Sequence, residues 1–206
     1  MIIGLCGEKQ SGKDTVAAYL IKHYEFERRA FADPLKRSVA ALLGIPYHEV
    51  DLHKNDATVH ISLGYHNTVV SEDAQAAFPH LSSWSPIVEP LTFRSFLQRY
   101  GTESHRDVFG EDFWVDQTLP INGYYPGRKI VLTDVRFENE AERVRQIGGS
   151  VVRIYRSQTL NKDSHPSENY DFPVDHILYN NDGLNELWNK VEMLLMLLGE
   201  QEKNGE

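Results

Sequence analysis

Near the N-terminus an apolar run, MIIGLC, leads straight into GEKQSGKDT (residues 7–15). No other feature of the chain constrains the fold as much. A short continuous apolar run stopped by glycine reads as a buried strand. Gly7, four residues, then Gly12-Lys13 is the spacing of a phosphate-binding loop. Beyond it, KDTVAAYLIKHY (13–24) places Val16, Ala17, Leu20 and Tyr24 at helical spacing. Strand, glycine loop and helix in that order are the setting such a loop requires. Its glycines let backbone N–H groups converge on phosphate oxygens, and the following helix aims its positive end at them. Lys13 adds a mobile charge for the β- and γ-phosphates. One position departs from the usual pattern: Asp14 stands where Ser or Thr is expected, and Thr15 is the next hydroxyl. Three roles are open to Asp14. It can bind Mg²⁺ directly or through water, face an incoming phosphate acceptor, or stabilise the first turn of the helix as an acid.

The rest of the chain alternates strands and helices, which calls for a parallel sheet covered on both faces. FERRAFA (26–32) reads as a second strand. ADPLKRSVAALLG (32–44) is a helix starting at Asp33-Pro34 and stopping at Gly44. Residues 45–90 are rich in His, Ser, Asn and Pro and form a loop-rich insertion, with a hairpin around Gly64 as its one local signal. LTFRSFLQRYG (91–101) is helical with Thr92 as cap, and EDFWVDQTL (111–119) is a further helix. RKIVLTD (128–134) is a strand ending in Asp. ENEAERVRQIGG (138–149) is a helix with early acids and late arginines that complement its dipole. SVVRIYR (150–156) and VDHILYN (174–180) are strands separated by a polar loop, 157–173, of a length that usually carries function. The last helix, GLNELWNKVEMLLMLLG, either finishes the core or pairs with a second copy of the chain, and residues 201–206 read as a disordered tail. Residues 1–200 are thus expected to form one domain.

A carboxylate at the carboxyl end of an inner strand lies beside the phosphate loop in such a sheet. Asp134 fits that description and can hold Mg²⁺ or its waters, while Arg136 can reach bound phosphate. Lys36, Arg94, Arg106 and Arg156 are further candidate clamps for phosphate charge. The net charge of −9 opposes binding of duplex DNA, whose affinity comes from basic clusters, but leaves room for small phosphorylated ligands in a local basic pocket. The nine histidines show no zinc spacing, and the single Cys6 is expected to be buried on the first strand. No apolar run is long enough to span a bilayer, and the expected compartment is the cytoplasm.

The segments GEKQSGKDT, FADPLK, FRSFLQRYGTESHRDVFGEDFWV, VLTDVRFENEAERVRQIGGSVVRIYR, DSHPSE and YNNDGLNEL, in this order, resemble the phage-type deoxynucleoside monophosphate kinases. These belong to the nucleoside-monophosphate-kinase branch of P-loop proteins, and the resemblance leaves out residues 45–90 and the tail. It implies an α/β three-layer sandwich with an acceptor-binding helical region and a lid over 157–173. It implies ATP and Mg²⁺ as cofactors and a small nucleotide as acceptor. Gly7 to Thr15, with Gln10, Ser11, Gly12 and Lys13, would hold the ATP phosphates. Asp14, Thr15 and Asp134 would hold the metal. Asp33 and Lys36 of FADPLK, with Arg94, Gln98, Thr102 and Arg106, would line the acceptor pocket. Asp134, Arg136 and Glu140 would form a strand-end cluster near both phosphates. Arg156 and the His165–Glu168 motif would close over the reaction, and Asn180 to Gly183, including Asn181 and Asp182, would lie beside the adenine.

Other readings keep the phosphate loop but change the function. A P-loop kinase acting on hydroxymethyl-pyrimidines in DNA needs a basic groove, which the charge opposes. A dephospho-coenzyme-A-kinase-like activity changes the acceptor only. A non-catalytic nucleotide-binding regulator would explain the missing Ser or Thr, but not the retention of Lys13, Thr15, Asp134 and Arg136 together.

Overall fold

The computed structural model describes residues 1–52, 58–59, 91–157 and 172–204. These divide into two compact units, Met1–Leu35 with His105–Glu206, and Lys36–Ser104.

The larger unit is built on five parallel strands: β1 (Ile2–Cys6), β2 (Glu27–Arg29), β5 (Ile130–Leu132), β6 (Ser150–Tyr155) and β7 (His176–Tyr179), in the order β2-β5-β1-β6-β7. The central strand β1 pairs Ile3 with Val131 on one side and Gly4 with Val151 on the other. Its five residues and the three of β5 are all buried, as expected of inner parallel strands covered on both faces. Two apolar cores result. On one face Ile3, Leu5, Val152 and Ile154 pack with Val16, Ala17 and Leu20 of α1 (Lys13–Tyr24) and with Leu187, Val191, Leu194 and Leu198 of α8 (Leu184–Asn204). On the other, Ile2, Cys6, Ile130, Leu132 and Val151 meet Val115 of α6 (Phe113–Thr118), Leu119 just beyond it, and Ala141 and Val144 of α7 (Glu138–Gln146). Cys6 is fully buried, as expected. The α/β fold class expected from the sequence is present: a central parallel sheet flanked by helices.

Several element boundaries differ from the expected ones for identifiable reasons. The second strand stops at Arg29, because Asp134 accepts the backbone N–H groups of Phe31 (2.7 Å) and Ala32 (3.0 Å). Those bonds turn the chain out of the sheet and into α2 (Ala32–Leu43), which Gly44 closes with a φ of 65°. The late arginines of α7 do more than complement its dipole. Arg143 is buried and donates to Asp116 (2.6 Å) and to the Leu119 carbonyl (2.7 Å), tying α7 to the end of α6. The last helix runs to Asn204, four residues into the stretch read as a disordered tail. Gln, Glu and Lys continue a helix readily, and nothing in QEKN interrupts it.

The smaller unit holds most of α2, α3 (Glu49–Leu52), an antiparallel pair β3 (Thr58–Val59) with β4 (Leu91–Thr92), and α4 (Phe93–Gly101). Thr92 caps α4 as expected, its hydroxyl accepting the Ser95 N–H at 3.1 Å. Phe93, Phe96 and Leu97 are buried, and Ser38 bonds Tyr100 at 2.7 Å, joining α2 to α4. A π-helical turn, Thr102–Arg106, and α5 (Asp107–Phe109) follow α4. The hairpin expected around Gly64 and the His165–Glu168 motif lie outside the described residues, as does most of the expected lid. Among the described residues no helix is long and apolar enough to cross a membrane.

Candidate nucleotide-binding site

The loop between β1 and α1 has the backbone of an anion cradle. Gly7, Gln10 and Gly12 have φ values of 134°, 65° and 109°. Gln10 holds its left-handed conformation at a cost of about 1 kcal/mol, the kind of local strain that collects at functional loops. Gly12 precedes α1 and has no side chain to cap it, so the first-turn N–H groups face an incoming anion. The Ser11 hydroxyl is buried and finds no hydrogen-bond partner. Lys13 folds its ammonium back onto the loop, donating to the Gly7 carbonyl and, at 2.7 Å, to the Glu8 carbonyl. An orphaned hydroxyl, an uncapped helix N-terminus and a lysine held at the same loop fit a phosphate group.

Strand order brings the other candidates of the larger unit to the same edge of the sheet. Because β5 neighbours β1, Asp134 follows β5 beside the loop, and the Val135 N–H bonds the Leu5 carbonyl at 3.1 Å. Desolvation raises the Asp134 carboxyl. The Ala32 and Phe31 donors and Arg136 oppose that shift, and Asp33 adds to it. Asp33 itself is buried and pairs with Arg28 at 2.9 Å.

Glu140 is 3% exposed. Its Oε2 accepts the N–H groups of Arg136 (2.7 Å) and Phe137 (3.2 Å), and Oε1 lies 3.8 Å from the Arg106 guanidinium. Arg106 also sits 4.6 Å over the Phe137 ring. Glu140 therefore organises the start of α7 and two arginines, of which Arg136 is exposed. Both oxygens face protein donors, so the structure places it behind the arginines as their support.

Burial is the largest cause that pushes the Glu140 carboxyl up to about 8, with the Asp134 charge second. The native state thus keeps a proton that the unfolded chain releases near the ordinary glutamate value. Between about pH 4.5 and 8 the unfolded state binds fewer protons, so stability falls as pH rises. Glu140's contribution to that fall is on the order of 3–5 kcal/mol. Denaturant midpoints measured from pH 5 to 9 are expected to decline in the wild type and to decline less steeply in Glu140→Gln. Parallel profiles for the two proteins refute the assignment.

Asp14 is exposed and Thr15 half-buried in the first turn of α1. Among the described residues no cluster of three or more His, Cys, Asp or Glu could hold a metal by itself. One or two hard oxygen donors beside a phosphate cradle suit Mg²⁺, which keeps several waters and shares substrate phosphates.

Arg156 leaves the end of β6, and the loop after β7 is pinned beside it. Asn181 accepts the Ser157 N–H at 2.8 Å, and Asp182 pairs with Lys190 at 2.8 Å. Gly183 follows, its carbonyl accepting the Leu187 N–H. Asn180 approaches the phosphate loop most closely, donating to the Ser11 carbonyl at 2.8 Å. The family resemblance implied a place for it beside the adenine, and its contact with the glycine loop was not foreseen. Lys36, Arg94, Gln98 and Thr102 belong to the smaller unit. Lys36 is paired with Asp51 at 2.8 Å, Arg94 and Gln98 are exposed on α4, and Thr102 opens the π-helical turn.

Comparison with known proteins agrees with this chemistry. The family model described as deoxynucleotide monophosphate kinase matches residues 61–191. The match takes in residues 61–90, which the sequence resemblance left aside, and begins after the glycine loop. The deoxynucleotide monophosphate kinase of Escherichia phage RB69 is 24% identical, over 94% of this chain and 99% of its own. That of Enterobacteria phage T4 is 23% identical, over 96% and 99%. A protein of Acanthamoeba polyphaga mimivirus, provisionally given the same name, is 28% identical over 93% and 94%. With a family match over more than half its length, this chain belongs to the deoxynucleotide monophosphate kinase family, a family of nucleotide kinases.

Proposed function

We propose that the protein transfers the γ-phosphate of ATP to the 5′-phosphate of a deoxynucleoside monophosphate, giving the diphosphate. The observation that carries the reading is the glycine loop itself: an uncapped α1 N-terminus, an orphaned Ser11 hydroxyl and Lys13 at the head of α1. Gly7 to Thr15 bind the phosphates of ATP, with Arg156 and the Asn181–Gly183 loop toward its base. Lys13, Arg136 and Arg106 neutralise the charge that spreads over the transferred group, and most of the rate enhancement comes from that and from positioning. Asp134 orders the loop that precedes α2. Mg²⁺ would supply further charge neutralisation, and Asp14, Thr15 and Asp134 would hold it or its waters. Acceptor recognition is assigned to Asp33, Lys36, Arg94, Gln98 and Thr102 by the family resemblance.

ADP release with the four deoxynucleoside monophosphates, modified pyrimidine nucleotides, modified DNA or no acceptor tests this directly. Turnover is expected only with free monophosphates, at least about a hundredfold above the no-acceptor rate. ATP binding without acceptor-dependent ADP release favours a regulator, and turnover on modified DNA alone favours the base kinase.

A further inference from the structure

We infer that Asn180 is a positioning residue that sets the direction of the Gly12 N–H in the phosphate cradle. This deepens the proposed function and rests on it. The side-chain amide of Asn180 donates to the Ser11 carbonyl at 2.8 Å across 169 positions of sequence. The Ser11 carbonyl and the Gly12 N–H belong to one planar trans peptide, in which the two groups point opposite ways. Fixing the carbonyl toward Asn180 therefore turns the Gly12 N–H away from it, to the other side of the loop backbone. That N–H heads α1, where an anion is best received.

Asn180 is itself held firmly. Its N–H bonds the Tyr155 carbonyl at 2.7 Å, and the next residue accepts the Ser157 N–H. The ends of β6 and β7 thus form a fixed frame, and the Asn180 amide passes that rigidity to a loop rich in glycine. The contact also accounts for Gly12. A Cβ there would stand 2.4 Å from the Asn180 amide nitrogen, so the asparagine fills the space a side chain would need. A donor held before phosphate arrives needs no reorganisation on binding, which is where such a contact contributes most.

The test uses Asn180→Ala and the volume-keeping Asn180→Leu, each checked by thermal unfolding. Binding of ATP and of inorganic tripolyphosphate is measured without acceptor, and KM for both substrates is measured at steady state. Kd for both ligands and KM for ATP are expected to rise about tenfold in the variants, while the acceptor KM stays within about twofold. The Gly12 amide resonance, followed by ¹⁵N–¹H spectroscopy, is expected to move in the free protein. Unchanged triphosphate affinity, or equal rises in both KM values with an unmoved Gly12 resonance, overturns the proposal. If wild type and variant differ in tripolyphosphate binding but wild type transfers no phosphate, the kinase reading fails and the role of Asn180 stands. If wild type binds neither ATP nor tripolyphosphate, both fall.

Discussion

Lys13→Ala is expected to lower kcat/KM for phosphate transfer by about a thousandfold or more while leaving the protein folded. The loss corresponds to about 4 kcal/mol of transition-state stabilisation, the usual scale for one preorganised charge in a phosphoryl-transfer site. The fold should survive because Lys13 contributes nothing to either core. Its ammonium donates to the loop carbonyls of Gly7 and Glu8. The loop keeps its Ser11-to-Glu8 backbone bond and its bond to Asn180 when the lysine is gone. Steady-state ADP release measures the first effect, and thermal unfolding the second, with a midpoint within about 2 °C of wild type. Lys13→Arg should recover part of the rate, because charge returns without the same point geometry. Wild-type turnover in Lys13→Ala refutes the proposed mechanism.

Gly7→Ala is expected to damage the fold and the site together. Gly7 has a φ of 134°, a conformation that residues with a Cβ rarely adopt. A Cβ there would lie 2.3 Å from the Ile154 carbonyl oxygen and 3.1 Å from the Ser11 hydroxyl. The first contact is with the backbone of the buried strand β6 and cannot be relieved by a rotamer change. Either the loop lifts from the strand or β6 shifts beside the central strand. We expect a loss of about 3 kcal/mol or more, seen as a fall in Tm of roughly 6–12 °C for a chain of this size. ATP affinity should fall in parallel. Gly44→Ala gives the contrast: its Cβ would meet nothing within 4 Å, so only the strain of its φ of 65° is felt. That substitution should cost about 1 kcal/mol. Equal effects at the two glycines contradict the close-approach explanation for Gly7.

The parts of the fold legible in the sequence were those fixed by local pattern. MIIGLC and IVL are short apolar runs, and both became inner strands buried on both faces. Val16, Ala17 and Leu20 lie on one face of α1, and all three enter the core with the strands they were expected to cover. Thr92 and Gly44 acted as the cap and stop that their chemistry prescribes. Boundaries failed where a distant side chain intervened. FERRAFA reads as a strand of seven residues, yet Asp134 captures two of its N–H groups and ends it after three. No local property of 26–32 contains that information. Arg143 likewise reads as one more late-helix cation, and only packing reveals it as a buried tie to α6.

The sequence by itself determined that a loop with phosphate-binding spacing lies between a buried strand and a helix, because glycine spacing, apolar runs and helical periodicity are all short-range features. It also singled out Lys13, Asp134 and Arg136 as chemistry-bearing, because each sits at a fixed offset from a strand end or a glycine, while Glu140 entered only through the family resemblance. Tertiary structure alone decided which of these groups turn onto protein donors and which stay at the surface. Glu140 turns both oxygens to protein donors and props two arginines, whereas Arg136 remains at the surface. Asn180, expected from the resemblance to lie beside the adenine, reaches the Ser11 carbonyl of the glycine loop. The reason is physical. A parallel sheet brings strand ends far apart in sequence to one edge, and the hydrogen bonds formed there depend on strand order, which no local pattern encodes.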